Sequence, residues 1–260
     1  MLNENSTKRQ LAAGATVTGC FFRYPSGTLA EFIALGGWDF LVFDAEHGSL
    51  QPRDLEDLSR ACELHGVTPM VRVTTNEPST ILRFLDAGAH GVQVPWVDSG
   101  AAAEAAVQAV KYQPSGSRGL AATRSAGFGV PAPIGDYVRQ SNAETLVVVQ
   151  VETADGVANI EEFVEVDGVD VVFIGPTDLA HSLGHVGESA HPEVRKAMDR
   201  ITEVVTASDK ALGIFVANPS DAVMWRDRGA RYLTTGVEPL LKRSMQEYLT
   251  TVRSTKGDTT

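Results

Sequence analysis

The chain has 260 residues, 43% of them apolar, and a formal charge of −11. That length and apolar content suit one large α/β domain with a full core, or two small ones. No apolar run reaches the roughly 18 residues of a membrane span, and the acidic balance argues against a nucleic-acid surface, which needs a basic stripe.

In chain order, the first ten residues are polar and lack the apolar stretch of a signal peptide. Cys20 and Cys62 make no disulfide framework and read as reduced residues of a cytoplasmic protein. Strand-like runs recur at 16–22, 40–44, 68–73, 91–97, 145–152, 169–175, 211–216 and 231–236. Runs such as Leu41-Val42-Phe43 and Val171-Val172-Phe173-Ile174 are apolar without alternation, as in parallel strands buried on both faces. Helical patterns lie between them at 52–64, 78–86, 100–112, 192–207, 219–228 and 239–252. Several open on Pro, and Gly66, Gly88 and Gly229 follow three of them as C-terminal caps.

Eight βα repeats in about 250 residues is the arithmetic of a (β/α)8 TIM barrel, a single α/β domain over 1–260. The rival, a doubly wound sheet, needs a G-x-G-x-x-G turn after its first strand. None follows residues 16–22. Segment 114–137, rich in Gly, Pro, Ser and Ala, breaks the rhythm, and long insertions of that kind are usually functional. The tail 253–260 is polar and reads as frayed.

Barrel enzymes work at the C-terminal ends of their strands. Those ends carry Asp44-Ala45-Glu46-His47, Arg72, Gln93, Pro95, Trp96, Gln150, Glu152, Gly175-Pro176-Thr177-Asp178 and Asn218. Glu152 and Asp178 end successive strands about one βα unit apart. Two converging carboxylates with open positions between them seat a hard cation such as Mg²⁺ or Mn²⁺. The plain alternative for each is a helix cap. His47, following two acids, is a general-base candidate. Arg72, inside Val-Arg-Val, needs an anion. Asp44 or Glu46 of the neighbouring strand would serve, as would a carboxylate or enolate oxygen of a substrate. His181, His185 and His191 are not spaced for one helical face, and Gly184 and Gly187 interrupt them, so zinc is not expected there.

Eight motifs then converge. They are Phe-Asp-Ala-Glu-His-Gly (43–48), Val-Arg-Val (71–73), Leu-Asp-Ala-Gly (85–88), Val-Pro (94–95), Ser-Arg-Gly (117–119), Val-Gln-Val-Glu-Thr (149–153), Phe-Ile-Gly-Pro-Thr-Asp-Leu (173–179) and His-Pro-Glu-Val (191–194). With them the chain, from about Gly19 to Leu241, resembles the HpcH/HpaI family of metal-dependent pyruvate aldolases. The resemblance implies a pyruvate-type barrel whose last helix is exchanged with a neighbour, in a homo-hexamer built as a dimer of trimers. It implies Mg²⁺ or Mn²⁺, with Co²⁺ as a further candidate, and reversible cleavage of a 4-hydroxy-2-oxo acid into pyruvate and an aldehyde. Glu152 and Asp178 would hold the ion, and Arg72 the keto or enolate oxygen. Gln150, Gly175, Thr177, Asp178 and Ile214 would line the substrate. His47, with Asp86, would manage the proton, and Asp44 joins the same catalytic group.

Asp86 precedes the fourth strand and so lies at the opposite end of its own barrel. The expectation is that Asp86 and segment 118–129 serve an adjacent subunit, with Arg118 or Arg124 meeting the aldehyde. The chain departs from its relatives at Arg23, where they usually carry small residues near a Trp, and at His181. Two alternatives stay open: related carbon–carbon lyase or ligase chemistry on the same core (citrate-synthase-like or acyl-CoA lyase), and a non-catalytic metabolite-binding barrel.

Overall fold

A computed structural model describes residues 4–254. Eight parallel strands close in sequential order into a barrel: β1 (Val17–Phe22), β2 (Phe40–Asp44), β3 (Thr68–Arg72), β4 (Gly91–Val94), β5 (Leu146–Val151), β6 (Val171–Ile174), β7 (Ala211–Phe215) and β8 (Ala230–Gly236). The eight-fold repeat is thus borne out. Successive side chains alternate between the barrel interior and the surrounding helices. Val17, Phe21, Phe40, Val42, Met70, Leu146, Val148, Val171, Phe173, Ala211 and Tyr232 form the interior cluster, with Phe215 packed on it. Leu41, Phe43, Val71, Val147, Val149, Val172, Ile174, Leu212 and Ile214 join the larger layer between sheet and helices.

Aromatic rings fill the interior below the C-terminal rim. Phe40 stacks on Tyr232 at 4.2 Å between centroids, and Phe21 meets Phe215 edge-on at 5.9 Å. Gly19 makes room for this: a Cβ there would lie 2.1 Å from the Phe40 ring.

The helices are α1 (Ser6–Ala12), α2 (Gly27–Ala34), α3 (Pro52–Leu64), α4 (Pro78–Ala87), α5 (Gly100–Val110), α6 (Ile134–Glu144), α7 (Ala154–Ala158), α8 (Ile160–Val164), α9 (Pro176–Ser182), α10 (Pro192–Thr206), α11 (Pro219–Asp227) and α12 (Val237–Ser254). The polar start conceals α1. Asn5 caps it by accepting from the Lys8 N–H, and buried Thr7 donates to the Asp39 carbonyl at the N-terminal end of the barrel. Leu11 completes the interior cluster from below.

Segment 114–137 is ordered. It contains a kinked 3₁₀ stretch, Arg124–Gly129, and enters α6. Ser125 and Tyr137 hydrogen-bond across it at 2.9 Å.

The last helix is different in kind. From Leu241 onward every described residue of α12 is exposed, including Leu241, Met245, Tyr248, Leu249 and Val252. These recur at the spacing of one helical face. No described helix is long and apolar enough to cross a membrane.

Candidate active site

The inward parity of each strand decides which side chains reach the C-terminal rim. On β2 the inward set 40, 42 ends at Asp44, and on β3 the set 68, 70 ends at Arg72. The two are register partners. On β5 the set 146, 148 runs on to Gln150 and then Glu152. On β6 Phe173 leads to Gly175, and α9 starts at once with Asp178 in its first turn. A cavity of about 200 Å³ opens there, lined by Phe21, Arg23, His47, Arg72, Gln150, Glu152, Phe173, Gly175, Pro176, Thr177, Asp178 and Phe215. That is below the roughly 300–1,000 Å³ of a drug-sized site, and suits a small substrate.

Asp44 and Arg72 form a buried bidentate pair. Arg72 Nε donates to Asp44 Oδ1 at 2.9 Å and Nη2 to Oδ2 at 2.7 Å. Nη1 lies 3.2 Å from Glu46 Oε2. Both carboxylates named as structural partners for Arg72 therefore bind it. A guanidinium has five N–H groups, so two remain for a ligand. Burial alone would raise the Asp44 carboxyl. Arg72 chiefly, helped by the His47 N–H and by Arg23, holds it below the usual carboxylate range.

Glu152 is buried and fixed at both oxygens. Oε1 accepts the Trp96 backbone N–H at 2.7 Å, and Oε2 accepts from Gln150 Nε2 at 2.8 Å. Gln93 donates to Gln150 in turn. Burial pushes the Glu152 carboxyl up to about 7, reinforced by the charges of Asp178 and Glu46 and opposed by the Trp96 and Gln150 bonds. Trp96 takes a left-handed φ of 54°, which is costly for a bulky residue, and its indole donates to Glu46 Oε1 at 3.0 Å. It ties the Glu152 side of the site to the Arg72 side.

The donor set fits a hard divalent cation. Two carboxylates, Glu152 and Asp178, line one small cavity, and burial, reinforced by the neighbouring negative charges, raises Glu152 in a way a bound cation would relieve. Gly175 keeps the seat open, since a Cβ there would lie 2.5 Å from Glu152 Oε2.

The chain brings together His47, Arg72, Gln150, Glu152, Gly175, Thr177 and Asp178, with Asp44 directly behind Arg72. Two expectations need correction. Ile214 points away from the cavity into the sheet–helix layer, and Phe215 takes the inward place. Asp86 lies at the far end of α4, as its place before β4 implies, and there accepts from Arg118 at 2.6 Å. Arg118 and Arg124 are both engaged inside the chain. The Arg118 side chain is 1% exposed and stacks over Tyr112, while Arg124 pairs with Glu63 at 2.7 Å and donates to the Ala87 carbonyl. Sequence reasoning also missed Phe21 and Phe173 as walls of the cavity, because apolar strands gave no alternation to read.

Elsewhere His185, His191 and Glu193 bring their ligating atoms within 4.8 Å of one another, without His181. His191 Nδ1 accepts the Glu193 N–H, so the neutral ring carries its proton on Nε2. The cluster is a cap on α10 closed by a 2.8 Å bond between His185 and Glu193.

Known proteins share both the fold and the length of this chain. The 5-keto-4-deoxy-D-glucarate aldolase of Shigella boydii is 36% identical over 249 residues, covering 94% of this chain and 95% of its own. A family protein of known structure from Burkholderia cenocepacia superimposes with a TM-score of 0.91 at 35% identity, over 96% of this chain and 99% of that one. The citrate synthase SbnG superimposes with a TM-score of 0.87 at 30% identity, over 98% and 100%. The profile of the HpcH/HpaI aldolase/citrate lyase family matches residues 18–243, which takes in every strand but the first residue of β1 and every residue lining the cavity, and the chain belongs to that family.

Proposed function

We propose that the chain is a divalent-metal-dependent aldolase that reversibly cleaves a 4-hydroxy-2-oxo acid into pyruvate and an aldehyde. The observation that carries this is the convergence of buried Glu152 and Arg72 with half-buried Asp178 and exposed His47 on one small cavity, in a chain 36% identical to a named aldolase. Among the described residues no lysine lines that cavity, so none of them offers an amine for a Schiff base.

Glu152 and Asp178 would hold Mg²⁺, Mn²⁺ or Co²⁺, with Gln150 beside them. The ion would supply Lewis-acid stabilisation of charge on the oxo oxygen. The chain's own residues do the rest. The two free N–H groups of Arg72 donate to the C2 oxygen, which gains negative charge as the C3–C4 bond breaks. Asp44 and Glu46 keep that guanidinium aimed, so little reorganisation is needed. The proton of the 4-hydroxyl passes to His47 as the aldehyde carbonyl forms. The electron pair of the C3–C4 bond becomes the enolate of pyruvate, and protonation at C3 completes the product. First-turn N–H groups of α9, from Thr177 and Asp178, suit the substrate carboxylate.

The apolar stripe of α12 supports an exchanged last helix and a homo-hexamer. In such an assembly Asp86 of one subunit would serve the site of another. Two free, buried cysteines, Cys20 and Cys62, support a reducing cytoplasmic setting.

Thirty per cent identity to a citrate synthase favours a second reading, condensation at the same core. A panel of 4-hydroxy-2-oxo acids, assayed for pyruvate release with and without Mn²⁺, tests the first. Release from none of them, with citrate formed from oxaloacetate and an acetyl donor, would establish the second.

A further inference from the structure

Among the described residues, Arg23 is the one cavity-lining cation that the proposed reaction does not use. It follows β1 and lines the mouth, with its side chain 42% exposed. Its Nε donates to Asp44 Oδ2 at 2.9 Å, the oxygen that also accepts Arg72 Nη2. Two guanidiniums therefore flank one carboxylate oxygen.

Asp44 does not require the second one. Arg72 already grips both of its oxygens, and the His47 N–H adds a third bond at 3.2 Å to Oδ1. An ion pair made only for stability would put Arg23 on a carboxylate otherwise bare. Here the pair anchors Arg23 by its inner edge. Among the described residues neither terminal nitrogen of Arg23 has a hydrogen-bond partner, so up to four N–H groups are free beside the cavity. A planar guanidinium held by one edge, with its other donors open to a small site, is built to take a carboxylate.

We propose that Arg23 determines specificity by binding a carboxylate on the aldehyde half of the substrate, so that the enzyme works on short 4-hydroxy-2-oxo diacids and on aldehydes ending in a carboxylate. The inference rests on the aldolase reading. Arg72 and Arg23 touch the same Asp44 oxygen, so the oxo group at Arg72 and the distal carboxylate at Arg23 are separated by only a few carbons. The cavity of about 200 Å³ agrees with that length.

The test is the aldol direction with pyruvate and Mn²⁺, comparing succinic semialdehyde with butanal, its uncharged counterpart of equal chain length. Wild type should prefer the charged aldehyde. Arg23→Gln should lower the ratio of the two kcat/KM values by about tenfold to a hundredfold, the range of one hydrogen bond to a charged group. The loss should appear chiefly in KM for succinic semialdehyde, and Arg23→Lys should restore part of the preference. An equal loss with both aldehydes would make Arg23 a structural ion pair and overturn the proposal, as would an unchanged ratio. A wild-type enzyme that condenses neither aldehyde would overturn the aldolase reading and this inference with it, an outcome distinct from the other two.

Discussion

Gly175→Ala isolates the seat of the proposed cation from its ligands. The backbone at 175 has φ −97° and ψ 87°, which alanine tolerates. Without a clash the substitution would stabilise by about 0.4–1 kcal/mol through the unfolded chain. The space decides the sign. The new methyl would lie 2.5 Å from Glu152 Oε2 and 3.2 Å from Glu152 Cβ. A flexible tip could move aside, but this one is held by Gln150 at one oxygen and by Trp96 at the other, and Cβ cannot move without β5. Overpacking of that kind costs about 1–3 kcal/mol, leaving a net loss of about 1.3 kcal/mol at the middle of both ranges. Displacing a ligating carboxylate should also weaken Mn²⁺ binding by about 10- to 100-fold, as losing an orienting partner does. Urea unfolding without metal measures the first quantity and Mn²⁺ calorimetry the second. A variant as stable as wild type, with the same Mn²⁺ affinity, would refute the claim that Gly175 is a glycine for Glu152's sake.

Four further outcomes are expected. Glu152 keeps its proton to about pH 7 in the folded chain, whereas the unfolded chain releases it near 4.5. The folded state therefore binds more protons between those values, and metal-free stability should fall as pH rises through that window, a slope that Glu152→Gln removes and that unfolding titrations would detect. Protons and Mn²⁺ compete for the same carboxylate, so Mn²⁺ affinity should fall below about pH 7, by up to tenfold per unit; a flat profile from pH 5 to 8 would exclude Glu152 as a ligand. Arg72→Ala should lower kcat by about 10²–10³-fold, as loss of an oxyanion donor does, while a mild effect would leave Arg72 as a partner of Asp44 only. Met245→Glu with Leu249→Glu should shift the protein to a smaller species in light scattering and remove activity that depends on Asp86 of a neighbour; a dissociated chain of full activity would contradict the shared site.

Much of this was legible in the sequence because parallel strands announce themselves. Val147 to Val151 and Val171 to Ile174 are continuous apolar runs, and the polar residues that end them mark the rim. Asp44, Arg72, Gln150 and Glu152 could be placed from strand ends alone. The same continuity hid which residues face inward: in Leu212-Gly213-Ile214-Phe215 nothing in composition separates Ile214 from Phe215, and only closure of the barrel does. α1 was missed because, Leu11 apart, it is tied to the barrel through polar residues such as Asn5 and Thr7, which reach buried carbonyls 85 and 32 positions away. Arg118 and Arg124 looked available for an anion because a sequence cannot show that Asp86 and Glu63 already hold them. The Asp86 topology was visible from order along the chain, since it needs only the position of one residue relative to one strand.

The most direct measurement of the central claim is pyruvate release from 4-hydroxy-2-oxo acids by wild type and Glu152→Ala, each with Mn²⁺ and with EDTA. The expected result is release by wild type with Mn²⁺ alone, and none from the variant under either condition. Equal release by wild type in EDTA, or turnover by Glu152→Ala, would contradict the assignment of the carboxylate pair to a catalytic cation.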